Sequence, residues 1–417
     1  MDWWQLFTTS LNVLGEPFWR DKALRRKQSA NSLSKLFWMH ILYLNAADDG
    51  GIAEYAVRQA DELVKAGAKV TLLCRPTCRA DRVRLAEVRP GLPAGKGRAK
   101  GYAQRIAGQI GDQRVVASAA EREAASGLYS ALLIACYSEY FSPFWAGIYR
   151  RVARRVPIGV IAHDPVRDFV LGPGWWHRMS VRQGYSFVKH VFVHDATPVD
   201  FGGPRPKGVL IHEIPHGPFE VAKPRRPRAE LRERWGFVES DEVFLSFGQI
   251  RDGKNLDRFL RAMTKLPGSV KLLVAGSSGG GAQRPPEDYR RMAAELGVAE
   301  RCVWDVRYVP DEEVGELFEA ADYGLMAYSA KFRSASGVLN TAVACRRRVL
   351  ASSGSGPLKQ AVEEYGLGVF VKPDDDEAIL EGARQLLGAA DGAEWGRYER
   401  ENSWEENARG IMRAFGG

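Results

Sequence analysis

The stretch MHILYLNAADDGGIAEYAVRQADELVKAGAKVTLLCRP, residues 39–76, decides the fold. His40 to Leu44 is a short apolar run, and Asp48-Asp49-Gly50-Gly51 is a turn signal soon after it. Ile52, Tyr55, Ala56, Ala60, Leu63 and Val64 then recur at the period of a helix with one buried face. Gly67 is a helix stop, and Val70 to Cys74 is a second apolar run. Strand, loop, helix and strand make a βαβ unit, so the sheet is parallel.

Working outward, further strands are predicted at Ala131–Ala135, Pro157–Ala162, His190–His194 and Val209–Pro215. Pro218–Arg234 is rich in proline and arginine, with few apolar residues before Leu231, the composition of an interdomain linker. A second series follows at Val243–Phe247, Val270–Ala275, Val303–Val306, Tyr323–Met326, Arg348–Ala351 and Gly368–Val371. Between these runs lie the helical patterns Leu256–Lys265, Asp288–Leu296, Asp311–Ala320 and Pro357–Tyr365. Two β/α series predict an α/β protein of two doubly wound, Rossmann-like domains facing a central cleft, an N-terminal one over 39–217 and a C-terminal one over 218–394. Ligands in such sheets bind at the carboxyl ends of the strands.

The remaining composition narrows the class. The chain has 417 residues, 45% apolar and 26% charged, which excludes wholesale disorder, a collagen-like fibre and a small disulfide scaffold. Five scattered cysteines, Cys74, Cys78, Cys136, Cys302 and Cys345, read as reduced cytosolic thiols. No apolar run approaches the ~18 residues of a spanning helix. Residues 1–38 form a distinct extension, with Trp3, Trp4, Phe7, Phe18, Trp19, Phe37 and Trp38 beside Lys22, Arg25, Arg26 and Lys27. Two readings of it stay open: a helix lying in a membrane interface, or an extension packing its aromatics on the body of the protein.

The net charge is +8. Residues 75–105 carry seven arginines and two lysines against Asp81 and Glu87, and read as a mobile basic loop or short helix. With residues 1–38 they account for the whole excess, so the N-terminal half is expected to meet an anionic partner, a membrane surface or a charged acceptor. Nucleic acid is not expected, because Tyr102 is the only aromatic among those cations.

Three motifs carry chemistry. Gly50-Gly51 opens a helix where backbone amides can approach an anion. In LSFGQIRDGKNLDRFLRAM, residues 245–263, a strand ends at Gly248 and the next loop carries Arg251 and Lys254, a fork and a point charge suited to a diphosphate. In KFRSASGVLNTAVACRRRVLASSGSGPL, residues 331–358, the loop Ser334-Ala335-Ser336-Gly337 runs into a helix whose free amides can hold phosphate oxygens. The run GSSGGG, residues 276–281, lacks the ending of a phosphate loop, and Asp374-Asp375-Asp376 reads as a solvated turn, with no metal expected.

Taken in order, these motifs resemble the retaining glycosyltransferases of family 4, the group 1 glycosyltransferases of GT-B fold, from about residue 39 to the C-terminus. Ile161-Ala162-His163-Asp164, Ile214-Pro215-His216-Gly217, VPDEEVGELFEAADYGLMAYSA (309–330) and the closing Trp404…Phe415 helix also look like the family. The resemblance implies that residues 395–417 cross back to the N-terminal domain, which would bind the acceptor. It implies a hexosyltransferase that moves a sugar from a UDP- or GDP-sugar to a hydroxyl of a saccharide or lipid-linked acceptor, in polysaccharide or glycolipid biosynthesis. The expected setting is the cytoplasm, peripheral at the inner face of the membrane, and no metal or other cofactor is implied. Carried over by position, Gly248, Arg251 and Lys254 would meet the diphosphate, with Ser336, Gly337 and Val338 on its distal phosphate. Tyr308 and Val309 would flank the base, Gly51 would pack on the sugar–phosphate part, and His163 and Asp164 would sit at the reacting centre.

One departure concerns the family's paired glutamates, whose positions hold Arg333 and Thr341 here. Arg333 would favour an anionic donor sugar, and Thr341 would bond ribose more weakly than a carboxylate. The family's Gly-Arg pair is Gly248-Gln249, and Arg251 is expected to supply the cation. The alternative is a non-catalytic or degenerate nucleotide-sugar-binding protein of the same fold.

Overall fold

The computed structural model describes residues 39–48, 50–94, 102–163, 165, 172–194, 198–218, 220–278, 283–390 and 392–417. The extension 1–38 and Asp164 lie outside the described residues, as do 95–101 of the basic stretch.

The opening motif folds as its periodicity dictates. β1 (His40–Asn45) leads into α1 (Gly50–Lys65) and then β2 (Lys69–Cys74), with β1 and β2 parallel and in register from His40–Lys69 to Asn45–Cys74. Gly50, at φ 77°, makes the turn into α1, a conformation L side chains rarely adopt. β3 (Glu87–Arg89), α2 (Tyr102–Ala124), β4 (Ala131–Ile134), α3 (Ala146–Ala153), β5 (Ile158–Ile161), α4 (Gly174–Gly184), β6 (His190–Val193) and β7 (Leu210–Glu213) complete the first sheet. Its order is β3-β2-β1-β4-β5-β6-β7, every pair parallel. The order reverses at β1, where connections leave in opposite directions and open a crevice.

The second sheet is built from β8 (Glu242–Phe247), β9 (Val270–Ala275), β10 (Cys302–Asp305), β11 (Tyr323–Ala327), β12 (Arg348–Ser352) and β13 (Gly368–Phe370), in the parallel order β10-β9-β8-β11-β12-β13. Its helices are α5 (Arg228–Arg234), α6 (Leu256–Met263), α7 (Pro286–Glu295), α8 (Asp311–Ala320), α9 (Gly337–Ala344), α10 (Pro357–Glu364) and α11 (Asp376–Gly388). The strands are apolar along nearly their whole length because both faces are covered. α12 (Trp395–Glu401) and α13 (Trp404–Gly416) close the chain. α13 returns to pack on α1, where Asn407 is wholly buried and donates to the Tyr55 hydroxyl and the Pro215 carbonyl, each at 2.7 Å.

Two stretches, read as a loop or short helix and as a linker, hold more regular structure than that. Residues 75–105 hold a 3₁₀ turn (Ala80–Arg82) and the edge strand β3, and α2 begins at Tyr102. The end of Pro218–Arg234 is α5, whose Leu231 is buried. The arginines around α5 are anchored on the C-terminal domain, Arg226 on Glu316 and Arg228 on Asp322.

Candidate functional site

In the first sheet, three neighbouring strands each deliver a histidine just past their carboxyl end: His163 after β5, His194 after β6 and His216 after β7. They converge on the Tyr55 ring of α1, at centroid distances of 4.7, 5.4 and 5.1 Å, with Trp404 of α13 at 4.9 Å. His194 Nε2 lies 3.3 Å from His163 Nδ1, and His194 Nδ1 lies 3.2 Å from the Ile214 carbonyl oxygen. Because a carbonyl only accepts, His194 Nδ1 carries a proton. Burial pulls His163 down to about 3, with His216 adding to it, and pulls His216 down to about 4. His194 falls well below its ordinary value for the same reason, with both other imidazoles contributing. At neutral pH all three rings are uncharged, so His163 can orient a ligand but cannot offer a cation. Its Nε2 is enclosed and has no hydrogen-bond partner among the described residues.

The second sheet presents cations at the same level. β8 ends at Phe247, and Gly248, at φ 89°, turns the chain so that its carbonyl lies against Gly276; a Cβ on Gly276 would stand 2.1 Å from that oxygen. The next turn brings Lys254 back under the loop. Lys254 is 7% exposed, its ammonium donates to the Phe247 carbonyl, and no carboxylate pairs with it among the described residues. Burial pulls it down to about 7, and the neighbouring Arg251 guanidinium adds to this. Tyr328, past β11, is buried beside both Arg251 and the Ser336 hydroxyl; burial pushes its phenol up, while those two neighbours oppose the shift. Ser336 caps α9, its Oγ accepting from the Leu339 amide, so the amides of Gly337 and Val338 sit in the free first turn. Gly248, Arg251, Lys254, Ser336, Gly337 and Val338 thus lie in one neighbourhood.

Arg251 also lines a cleft of about 490 Å³ with Lys331, Ser329 and Gln283. Sequence reasoning missed Lys331, which lies two residues before Arg333. The acids of that cleft are engaged: Asp252 with Arg284 and the Tyr289 hydroxyl, Asp374 with Asn255 and the Ala330 amide. Pro373 and Asp374 form a turn with Asp374 exposed, as read, but the three carboxylates are engaged. Asp375 caps α11 through the Ala378 amide, and Asp376 pairs with Arg258 and Arg261.

The other candidates are more dispersed. Tyr308 is 67% exposed, whereas its neighbour Val309 is buried in the core of the second domain. Gly51 opens α1 on the first domain, with open space where a side chain would stand. Arg333 packs against the Ser/Gly loop after β12, its carbonyl 2.6 Å from where a Cβ on Gly356 would stand. Thr341 is buried, and its hydroxyl donates to the Gly337 carbonyl one turn back.

The two groups meet at the domain junction. Asn340 of α9 lies 3.1 Å from His216 Nδ1 and accepts from the Tyr398 hydroxyl at 2.6 Å. A cleft of about 320 Å³ lies between the sheets there, lined by His194 and Pro215 on one side and Gln360 and Tyr365 on the other. A further cavity of about 810 Å³ lies between α1 and α13; of the residues above, Trp404 lines it. Among the described residues no cluster of His, Cys, Asp and Glu could hold a metal ion, and no helix is long and apolar enough to cross a membrane.

Four arginines of the basic stretch 75–105 are held by carboxylates. Arg75 is buried on Asp112, Arg79 and Arg82 share Glu54 and Asp311, and Arg89 holds Glu87 and Glu123.

Comparison with known proteins bears on these sites. Residues 227–410 match the family model for glycosyl transferases group 1. The D-inositol 3-phosphate glycosyltransferase of Mycobacterium ulcerans is 30% identical over 207 residues, 47% of this chain and 43% of the relative. That of Nocardia farcinica is 29% identical over 199 residues, 45% of this chain and 43% of the relative. The chain thus spans less than half the length of these relatives. Among solved structures, Anabaena HepE in complex with UDP superimposes with a TM-score of 0.62 at 16% identity, covering 90% of this chain and 96% of that one. Residues 227–410 are a group 1 glycosyl transferase domain, and the chain that carries them has the GT-B fold.

Proposed function

We propose that the chain is a retaining glycosyltransferase of family 4. It moves a sugar from a nucleotide-sugar donor to a hydroxyl of a saccharide or lipid-linked acceptor, without a metal, in polysaccharide or glycolipid synthesis at the inner face of a membrane. The observation that carries this reading is Lys254, a buried ammonium held among the described residues by a backbone carbonyl and no carboxylate, beside Arg251 and the amide end of α9. An arriving diphosphate supplies the missing counter-charge. The ammonium, the guanidinium and the α9 amides then stabilise the charge that grows on the leaving group, the role a metal ion would otherwise fill. The exposed Tyr308 ring is available to stack on the base. Thr341, whose hydroxyl proton is given to the Gly337 carbonyl, would meet a ribose hydroxyl as an acceptor. Arg333 and Lys331 suit a donor sugar that carries a negative charge. His163, neutral and unpartnered at Nε2, orients the sugar, with Asp164 beside it in sequence. HepE has been solved with UDP-glucose, and the relatives act on an inositol phosphate by name, so a uridine donor and a phosphorylated acceptor are the first to test.

Titration calorimetry with UDP-glucose and GDP-mannose tests the site. Lys254→Ala is expected to weaken donor binding about 100-fold, the cost of removing one partner from a buried charge pair. Binding to the native chain is expected to weaken as pH rises through about 7, because the free ammonium gives up its proton there. A Lys254→Ala chain that binds donor as tightly as the native one removes the proposal.

A further inference from the structure

We propose that α4 and the turn before α3 form a face that lies on an anionic lipid surface. The inference rests on the transferase reading only in its position beside the cleft, and its deciding readout is lipid binding.

Trp175, Arg178 and Arg182 stand at i, i+3 and i+7 of α4, and all three are exposed. His177, Ser180, Val181 and Gly184 form the opposite, buried face. The helix is therefore a two-sided element whose outer stripe joins one large aromatic to two guanidinium groups. The stripe continues onto the neighbouring 3₁₀ turn (Glu139–Phe144). Phe144 is 48% exposed and Trp175 62%, and Trp176 bridges them, its ring centroid 6.0 Å from each. Contiguous exposed aromatics on a folded domain mark a contact surface. The stripe is also braced: the loop at Gly202 runs so close that a Cβ there would stand 2.3 Å from the Arg178 carbonyl.

Charge complementarity selects the occupant. Arg178 and Arg182 have no carboxylate partner among the described residues, and the nearby Arg150 bonds only Gln183 and Ser186. Asp200 faces His177 on the buried side of α4. In the stretch 75–105, which the sequence marks as basic, Arg75, Arg79, Arg82 and Arg89 are paired with carboxylates, and Arg84 bonds the Asp81 carbonyl. A tryptophan settles among lipid headgroups with its indole N–H wet, and arginines reach lipid phosphates over their apolar stems. The face also has the right address. Its two segments follow β4 and β5, and α4 begins eleven residues beyond His163, so a lipid-linked acceptor held on this face has a short path to the cleft.

The test is flotation of the full chain with phosphatidylcholine vesicles containing about one-third phosphatidylglycerol, at low and physiological salt. Each arginine near an anionic surface is worth about fivefold, so Arg178→Glu/Arg182→Glu is expected to lower partitioning at least about twentyfold. Phe144→Ala/Trp175→Ala is expected to lower it at least about fivefold. Both variants should keep the native melting temperature and the native shift on adding UDP. Partitioning equal to the native chain in both variants overturns the proposal, and so does equal binding to pure phosphatidylcholine. Intact vesicle binding with lost acceptor turnover in detergent would make the face a saccharide platform instead, which also overturns it. A chain that floats as expected yet binds no nucleotide sugar sinks the proposed function and leaves this face standing.

Discussion

The two domains touch in two ways, and the contrast separates what holds them from what they act with. At the rim the contact is ionic: Arg79 and Arg82 reach Asp311 across the junction at 3.2 and 2.7 Å, and Arg58 reaches Glu220 at 2.7 Å. At the centre it is neutral: His216, Asn340 and Tyr398 form a hydrogen-bonded string beside the Tyr55 cluster. The rim charges are partly solvated, so each is worth little alone. The central groups are enclosed, so each is costly to orphan or to charge.

The largest way to break this contrast is acid. The three imidazoles have folded pKa values below the unfolded value of 6.5. The unfolded state therefore binds more protons below 6.5, and stability present above that pH is lost as pH falls toward about 3 to 4. Between pH 6.5 and 4 the loss is expected to be on the order of 5 kcal/mol, read from urea midpoints. A curve that stays flat over this window would falsify the neutral centre, and His194→Asn should make the native slope shallower.

Next in size is Asn340→Ala. It removes the acceptor of the buried Tyr398 hydroxyl and one contact of His216, whose Nδ1 keeps the Gly217 carbonyl, at an expected cost of about 2 kcal/mol. Donor binding at the Lys254 side should be untouched by it. Chemical denaturation and calorimetry on the same sample separate the two, and a loss below about 0.5 kcal/mol contradicts a load shared through Asn340.

Much of this was legible in the sequence, and the rest was not for definite reasons. Strand and helix periods located β1, α1 and β2 and both sheets, because burial on two faces leaves short apolar runs that alternate with helical patterns. α2 escaped because its buried side is mostly alanine (Ala117, Ala119, Ala120 and Ala124), too small to stand out against its polar side. β3 escaped because three residues inside a dense run of arginine carry almost no pattern. Arg251 and Lys254 were readable because position after a strand end implies the cleft. The histidine cluster was half readable: His194 and His216 also follow strand ends, and that shared placement was the missed signal. Its partners lie on α1, α9, α12 and α13, and no local period reports such a meeting. The turn at Asp374 was legible, but the partners of Asp374 and Asp376 were not, since Asn255, Arg258 and Arg261 lie more than a hundred residues away.

The smallest expected effect tests the rim. Asp311 is pushed up by burial, but the Arg82 hydrogen bond and the Arg79 charge outweigh this and hold it below its ordinary value. Its contribution is therefore present above the unfolded value of 3.8 and is lost as pH falls below it, at the lower end of the window of the histidines. Arg79→Ala/Arg82→Ala removes both cations, and Glu54 keeps Arg58 as its partner, so no buried charge is abandoned. The expected cost is about 1 kcal/mol at low salt, shrinking in high salt as exposed pairs are screened. The pH profile adds a sharper reading: the variant should follow the native curve from pH 7 to 4 and depart only below it. A variant whose deficit persists in high salt, or that changes the slope between pH 6.5 and 4, would show that rim and centre act as one unit, and the division between them would fail.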